Sequence, residues 1–232
     1  ADSKNKKAFY MYAKIKQSQG RMEESIDMYR KILEIDPKDV TAEFEMGLAY
    51  IDVKKIDKAR EVLDNMDKKH KGRPEVPYLR GLILFNERKL DEAIGSLQET
   101  VKKAGIPGAY YYLGLCNLDK GNYEQATSEF QKVIDLNPEM TQARLLLALT
   151  HLKKGRAEDA EREAKRVLLT DEKNAFAYNL LGSAYMAQNK GDMAMEAFDK
   201  AIELNPKLAE AHINKGAFNL LSGESQKAEK EF

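Results

Sequence analysis

A small residue recurs along this 232-residue chain at an almost constant interval: Ala13, Gly47, Gly81, Gly114, Ala148, Gly182 and Gly216, in steps of 34, 34, 33, 34, 34 and 34. A second series follows twelve residues behind: Ser25, Ala59, Ala93, Ala126, Ala160, Ala194 and Ala228. Self-similarity at this period marks a stacked-repeat architecture, in which each unit buries its apolar face against its neighbours. One elongated array is therefore expected in place of one or two globular domains.

A single repeat shows how it is built. Between Ala109 and Pro138, apolar Tyr110, Leu113, Gly114 and Cys116 fall at helical spacing, then Lys120-Gly121-Asn122 interrupts the pattern. Tyr123, Ala126, Phe130, Val133 and Ile134 resume it. The spacing predicts helix, tight turn, helix. Gly121 suits the turn because glycine takes the left-handed conformation that closes a helix. Asn137-Pro138 ends the second helix, since the residue before proline is pushed out of the helical region; Asp36-Pro37 and Asn205-Pro206 repeat the signal. Gly114 and Ala126 are small where one helix must approach the other closely.

These features resemble the tetratricopeptide repeat (TPR) family. Gly114, Tyr123, Ala126, Phe130 and Pro138 match that family's repeat positions 8, 17, 20, 24 and 32, and Tyr178, Leu181, Gly182, Tyr185, Ala194, Phe198 and Pro206 match in the sixth repeat. The resemblance implies an all-α fold, a right-handed superhelical solenoid of stacked antiparallel helix pairs, about fourteen helices in all. A single array is expected over residues 6–232, with repeats at 6–39, 40–73, 74–106, 107–140, 141–174, 175–208 and an incomplete 209–232. Some departures stand out. Position 4, usually bulky, is Glu43, Pro77 and Arg144 in the second, third and fifth repeats, and the second and third junctions read Gly72-Arg73-Pro74 and Gly105-Ile106-Pro107. Irregularity is expected near residues 67–78 and 102–109.

Charged residues make up 33% of the chain and balance to zero net charge, so nothing steers it toward nucleic acid or anionic lipid. No apolar run is long enough to span a bilayer, and no direct membrane insertion is expected; the compartment stays open between periplasm and cytoplasm. The lone Cys116 reads as a buried structural thiol. His70, His151 and His212 sit in different repeats without partners at ligand spacing, so no metal is expected, nor any cofactor or catalytic residue. Glu23-Glu24 and Asp91-Glu92 read as helix starts favoured by the macrodipole. The run Lys68-Lys69-His70-Lys71-Gly72-Arg73 reads as cations at a helix C-terminus. Residues 1–5 are expected to be disordered or vector-derived, and Phe232 falls mid-helix with no polar cap, as in a piece of a longer protein.

On the first helix of each pair, positions 5, 9 and 12 lie roughly 120° from the stack-facing positions, and the family resemblance implies that they line a concave groove. Four consecutive repeats carry only apolar residues there: Phe44, Leu48 and Ile51; Tyr78, Leu82 and Phe85; Tyr111, Leu115 and Leu118; Leu145, Leu149 and Leu152. The ends are more polar, with Tyr10, Lys14 and Gln17 in the first repeat and Asn179 and Ser183 in the sixth. Exposed apolar patches of this size mark interaction sites. Two readings stay open: the stripe completes the core, or it takes a peptide, helix or partner protein. The candidate groove residues are Phe44, Leu48, Tyr78, Leu82, Phe85, Tyr111, Leu115, Leu145, Leu149 and Asn179. Some co-chaperones of the family grip a C-terminal carboxylate with Lys and Asn along this stripe. Here Asn179, Ser183 and Asn214 come nearest to that pattern, and no following repeat supplies the cations.

A non-enzymatic protein-binding scaffold is thus expected. The alternatives are a homo-oligomeric assembly platform, or the recruitment arm of a larger enzyme. The stretch from Asn137 onward, through Ala175-Phe-Ala-Tyr-Asn-Leu-Leu-Gly-Ser-Ala-Tyr-Met and Ala209-Glu-Ala-His-Ile-Asn-Lys-Gly, is similar to bacterial arrays of envelope and exopolysaccharide-export systems, including exosortase-associated ones.

Overall fold

Each first helix of a pair is apolar on more than one face, whereas each second helix segregates its apolar residues to one. Over Glu75–Asn86, Val76, Leu79, Leu82, Ile83 and Leu84 are all buried. Over Leu90–Lys103 burial is confined to Ala93, Leu97 and Thr100, an i, i+4, i+7 row. A first helix is therefore packed on several sides, and a second helix keeps one face to solvent. The computed structural model describes residues 2–223 with Gln226 and Glu229, and side chains from Asn5 onward. Among the described residues there are thirteen helices and no strand. They are α1 (Asp2–Ser18), α2 (Met22–Ile35), α3 (Val40–Asp52), α4 (Ile56–Lys69), α5 (Glu75–Asn86), α6 (Leu90–Lys103), α7 (Pro107–Asp119), α8 (Tyr123–Leu136), α9 (Thr141–Lys153), α10 (Ala157–Thr170), α11 (Ala175–Ala187), α12 (Gly191–Leu204) and α13 (Ala209–Leu221). Of the expected fourteenth helix, Gln226 and Glu229 are helical, while Ala228 and Phe232 lie outside the described residues. Helix α1 begins at Asp2, within the polar stretch 1–5.

The helices fall into two compact units, Ala1–Cys116 and Asn117–Phe232. In the first, α1 packs on α2, α2 on α3, α3 on α4 and α5, α4 on α5, and α5 on α6. In the second, α8 packs on α9, α9 on α10 and α11, α10 on α11, α11 on α12 and α13, and α12 on α13. These are stacked antiparallel pairs.

The periodic small residues sit where the stacking is tightest. A Cβ built on Gly47 would lie 2.7 Å from the Leu79 side chain, on Gly81 2.7 Å from Leu97, and on Gly182 2.6 Å from the Phe198 ring. The matching alanines of the second helices, Ala59, Ala93, Ala126, Ala160 and Ala194, are fully buried, as is the Cys116 thiol.

Every turn within a pair uses one device. One turn residue, two positions before the second helix where that helix start is described, takes positive φ: Gly20 (72°), Lys54 (59°), Arg88 (62°), Gly121 (77°), Gly155 (71°), Asn189 (59°) and Gly223 (80°). The next amide then reaches back five residues: Arg21 to Lys16, Lys55 to Tyr50, Lys89 to Leu84, Asn122 to Asn117, Arg156 to His151 and Lys190 to Tyr185, at 2.8–3.0 Å. This is the Schellman closure of a helix C-terminus. Three of the seven positions are not glycine, which the sequence reading did not anticipate.

Between pairs, α2, α8 and α12 end at Ile35, Leu136 and Leu204, just before the Asx-Pro dipeptides. Asp39 and Asn174 cap α3 and α11 by accepting from the amides of Ala42 and Ala177 at 3.0 and 2.9 Å. The divergent junctions differ locally. Gly72 adopts φ 91°, Ala104 is extended, and α7 starts on Pro107. Pro77 lies in the first turn of α5, where a missing N–H costs nothing.

Candidate functional site

The charged departures at position 4 each find a partner. Glu43 is buried on α3; its carboxylate accepts from Lys69 Nζ at 2.6 Å and lies 2.7 Å from His70 Nε2. Arg144 on α9 donates to Glu163 at 3.0 Å, and Arg166 holds the other Glu163 oxygen at 2.8 Å. Lys68 and Lys69 do occupy the last turn of α4. Within the run, however, Lys69 also neutralises a buried carboxylate that His70 contacts through Nε2, a link absent from the sequence reading. An acid at a position that is usually bulky was the available signal, and the spacing of 27 residues between Glu43 and His70 names no partner for it.

In the first unit, the stripe residues Phe44, Leu48, Tyr78, Phe85, Tyr111 and Leu115 are half-buried, and Leu82 is buried at 4% exposure. Their inner sides complete the core. Phe44, Leu48 and Ile51 pack against the cluster containing Ala49, Leu63 and Leu79. Tyr78 and Phe85 pack against the one containing Leu97 and Leu113. Aromatic pairing ties successive first helices together. Phe44 stacks on Tyr78 with ring centroids 5.4 Å apart, and Tyr112 stands edge-on to Phe85 at 5.2 Å and to Tyr111 at 5.6 Å. Burial, with a smaller contribution from Tyr112, pushes the Tyr78 phenol upward and keeps it neutral. Gly108 lies against the Tyr78 hydroxyl, so that a Cβ there would overlap it. At the polar end Tyr10 donates to Asp39 at 2.6 Å, and Lys6 pairs with Asp36 and Asp39 at 2.8 and 2.6 Å.

In the second unit, three predicted residues come together in one cleft of about 270 Å³. Leu145, Leu149 and Asn179 line it with Leu146, Leu180, Phe176, Gln142 and Glu210. Leu145 and Leu149 are half-buried, whereas Asn179 is 7% exposed and forms part of the wall. Its Oδ1 accepts from Asn214 Nδ2 at 2.9 Å. Asn214 also donates to Ser183 Oγ at 3.3 Å, and Ser183 Oγ donates to the Asn179 carbonyl at 3.0 Å. The three residues singled out by the carboxylate-grip comparison thus form one hydrogen-bonded group.

The lining of the cleft reaches beyond positions 5, 9 and 12. Phe176 and Glu210 stand at position 2, and Leu146, Leu180 and Tyr112 at position 6. Positions 2, 5, 6 and 9 are joined by i+3 and i+4 steps and share a face. Widening the stripe by one position on each side would have found them.

Among the described residues no group of three His, Cys, Asp or Glu could hold a metal ion, and no helix is long and apolar enough to cross a membrane. His151 is buried, with Nδ1 unpartnered and its basicity lowered chiefly by burial. His212 Nε2 lies 3.1 Å from the Pro206 carbonyl.

The chain belongs to the tetratricopeptide repeat family: sequence models of that repeat match residues 16–83 and 117–184, 78–140, 175–208 and 197–230. Human tetratricopeptide repeat protein 13 is 27% identical over 189 residues, covering 79% of this chain and 22% of that protein. Among solved structures, PilF of Pseudomonas aeruginosa superposes with a TM-score of 0.75 at 19% identity, over 96% of this chain and 99% of that one. YrrB, a TPR protein with an unusual peptide-binding site, gives 0.67 at 20% identity, over 79% and 95%. At these identities the structural likeness shows the fold. The chain spans 12% to 23% of the length of the curated relatives it matches.

Proposed function

We propose that this chain is a non-enzymatic scaffold that binds a peptide or protein segment against the apolar stripes of its first helices. The observation that carries this reading is the stripe's double character: its residues are anchored in the core yet keep an apolar edge in solvent. Phe176, Ile213 and Leu220 extend the apolar surface of the second unit as exposed large side chains. Anchored aromatics lose little freedom on binding, so the area they bury converts efficiently into affinity. The peptide-binding site of YrrB, on the same fold, agrees with this use.

Selection of a phage-displayed random peptide library on the immobilised chain tests the proposal. Enriched clones are expected to bind the chain and to weaken on Tyr111→Ala or Leu145→Ala while the helical circular dichroism stays unchanged. Failure to enrich any clone refutes the reading.

A second reading, self-association, is favoured by α1, where Met11, Tyr12 and Ile15 are 60%, 55% and 46% exposed along one helix. Light scattering decides it, since a monomer mass at high concentration excludes a self-assembling platform.

A further inference from the structure

Resting on the peptide-binding reading above, we propose that the cleft of the second unit takes an internal, extended peptide segment. One large apolar side chain of that segment sits in the cleft, with a basic residue close by in sequence.

The cleft itself carries the argument. Leu145, Leu149 and Phe176 form an apolar wall, and the Phe176 ring stands 52% exposed at its edge. Into this wall is set Asn179, 7% exposed and held by Asn214. With its oxygen accepting from Asn214, the Asn179 carboxamide offers the cleft its NH₂ group as a donor. A peptide C=O can accept from that group. A fatty acyl chain would cover it without a partner, at the cost that attends unsatisfied polar groups.

Size selects the conformation. A cleft of about 270 Å³ has room for a large side chain but not for a turn of α-helix, which with its side chains is about 10–12 Å across. An extended strand directs successive side chains to opposite sides, so one can enter while its neighbours point to the rim. Charge selects the sequence. Among the described residues Glu210 is the one charged residue of the cleft lining, and it stands exposed there without an ion pair to another described residue. A cation beside the apolar anchor is favoured, and a free C-terminal carboxylate finds no counter-ion.

The test uses the intact chain and an array of short, terminally blocked Gly/Ser peptides. Each carries a central Leu or Phe flanked by Lys, Glu or Gly, and a matched set ends in a free carboxylate after the apolar residue. Blocked, Lys-flanked peptides are expected to bind tightest. Glu210→Lys should reverse the preference to Glu-flanked peptides. Phe176→Ser, a surface change, should weaken binding by about ten-fold, the scale of a modest anchor. Asn179→Ala should weaken every peptide alike, with melting followed in parallel because the residue is buried. Preference for free carboxylates or for Glu-flanked peptides by the unaltered chain overturns the inference, as does indifference to Glu210→Lys and Phe176→Ser. An array without binders, beside library clones that do bind, overturns this inference and leaves the scaffold reading standing. Silence in both experiments removes both.

Discussion

Glu43 and His70 meet at 2.7 Å with the carboxylate almost wholly out of water. A family position that normally carries a bulky apolar side chain here carries an acid, and the chain supplies its partners from the end of α4. Removing one member of a buried polar pair leaves the other unsatisfied, at about 1–3 kcal/mol. His70→Ala is therefore expected to lower stability by that amount, and Lys69→Ala, on a partly exposed pair, by no more than about 1 kcal/mol. Replacing Glu43 and His70 together with leucine should recover most of the loss, because exchanging both members of a buried polar pair for apolar groups leaves neither unsatisfied. Urea denaturation of the four proteins measures it; equal losses for His70→Ala and the double variant would show that the pair is not the source.

Gly182 and Gly95 should respond oppositely to the same change. A methyl at Gly182 meets the Phe198 ring at 2.6 Å, whereas one at Gly95 meets nothing within 4 Å. Gly182→Ala is expected to cost about 1–3 kcal/mol through overpacking. Gly95→Ala, inside α6, should gain about 0.5–1 kcal/mol from helix propensity. Thermal melts of the two variants give the comparison.

At the left-handed turn positions, Lys54→Gly should stabilise the chain by up to about 1 kcal/mol, the approximate steric cost of a side chain there. Gly121→Ala should cost a similar amount. A melting temperature unchanged by either would mean that the turns relax without strain.

His151 makes stability depend on pH. Its native form is less basic than the free side chain, mainly because burial disfavours the charge. Below about pH 6.5 the unfolded chain takes up a proton that the native one resists, so stability falls as pH drops through that value toward the depressed native one. The slope from one proton is at most about 1.4 kcal/mol per pH unit. His151→Leu, with the side chain that Leu84 supplies at the same repeat position, should flatten this part of the stability–pH curve.

The pairing of helices was legible because the 34-residue recurrence, the Asx-Pro stops and the small residues at the close contacts are all local signals. Partnerships across a junction were not. Glu43 and His70 lie 27 residues apart, and nothing in the spacing of either residue names the other. The candidate stripe was half legible for a related reason. Periodicity identified the direction of Leu145, Leu149 and Asn179, but the width of the cleft depends on how far neighbouring first helices separate. Its remaining wall comes from residues such as Phe176 and Leu180, which lie off the stripe of positions 5, 9 and 12.

The back-reaching amides of the turns have a consequence for following the array in motion. Those of Arg21, Lys55, Lys89, Asn122, Arg156 and Lys190 lie at the surface, yet each is hydrogen-bonded to a carbonyl of its own first helix. Such an amide trades its proton for deuterium only when that turn opens. Six reporters are thus spaced one per repeat, in the same chemical setting, along one polypeptide. Their relative exchange times record where the chain frays first and which pairs open together, and a bound segment leaves its footprint as the turns it slows.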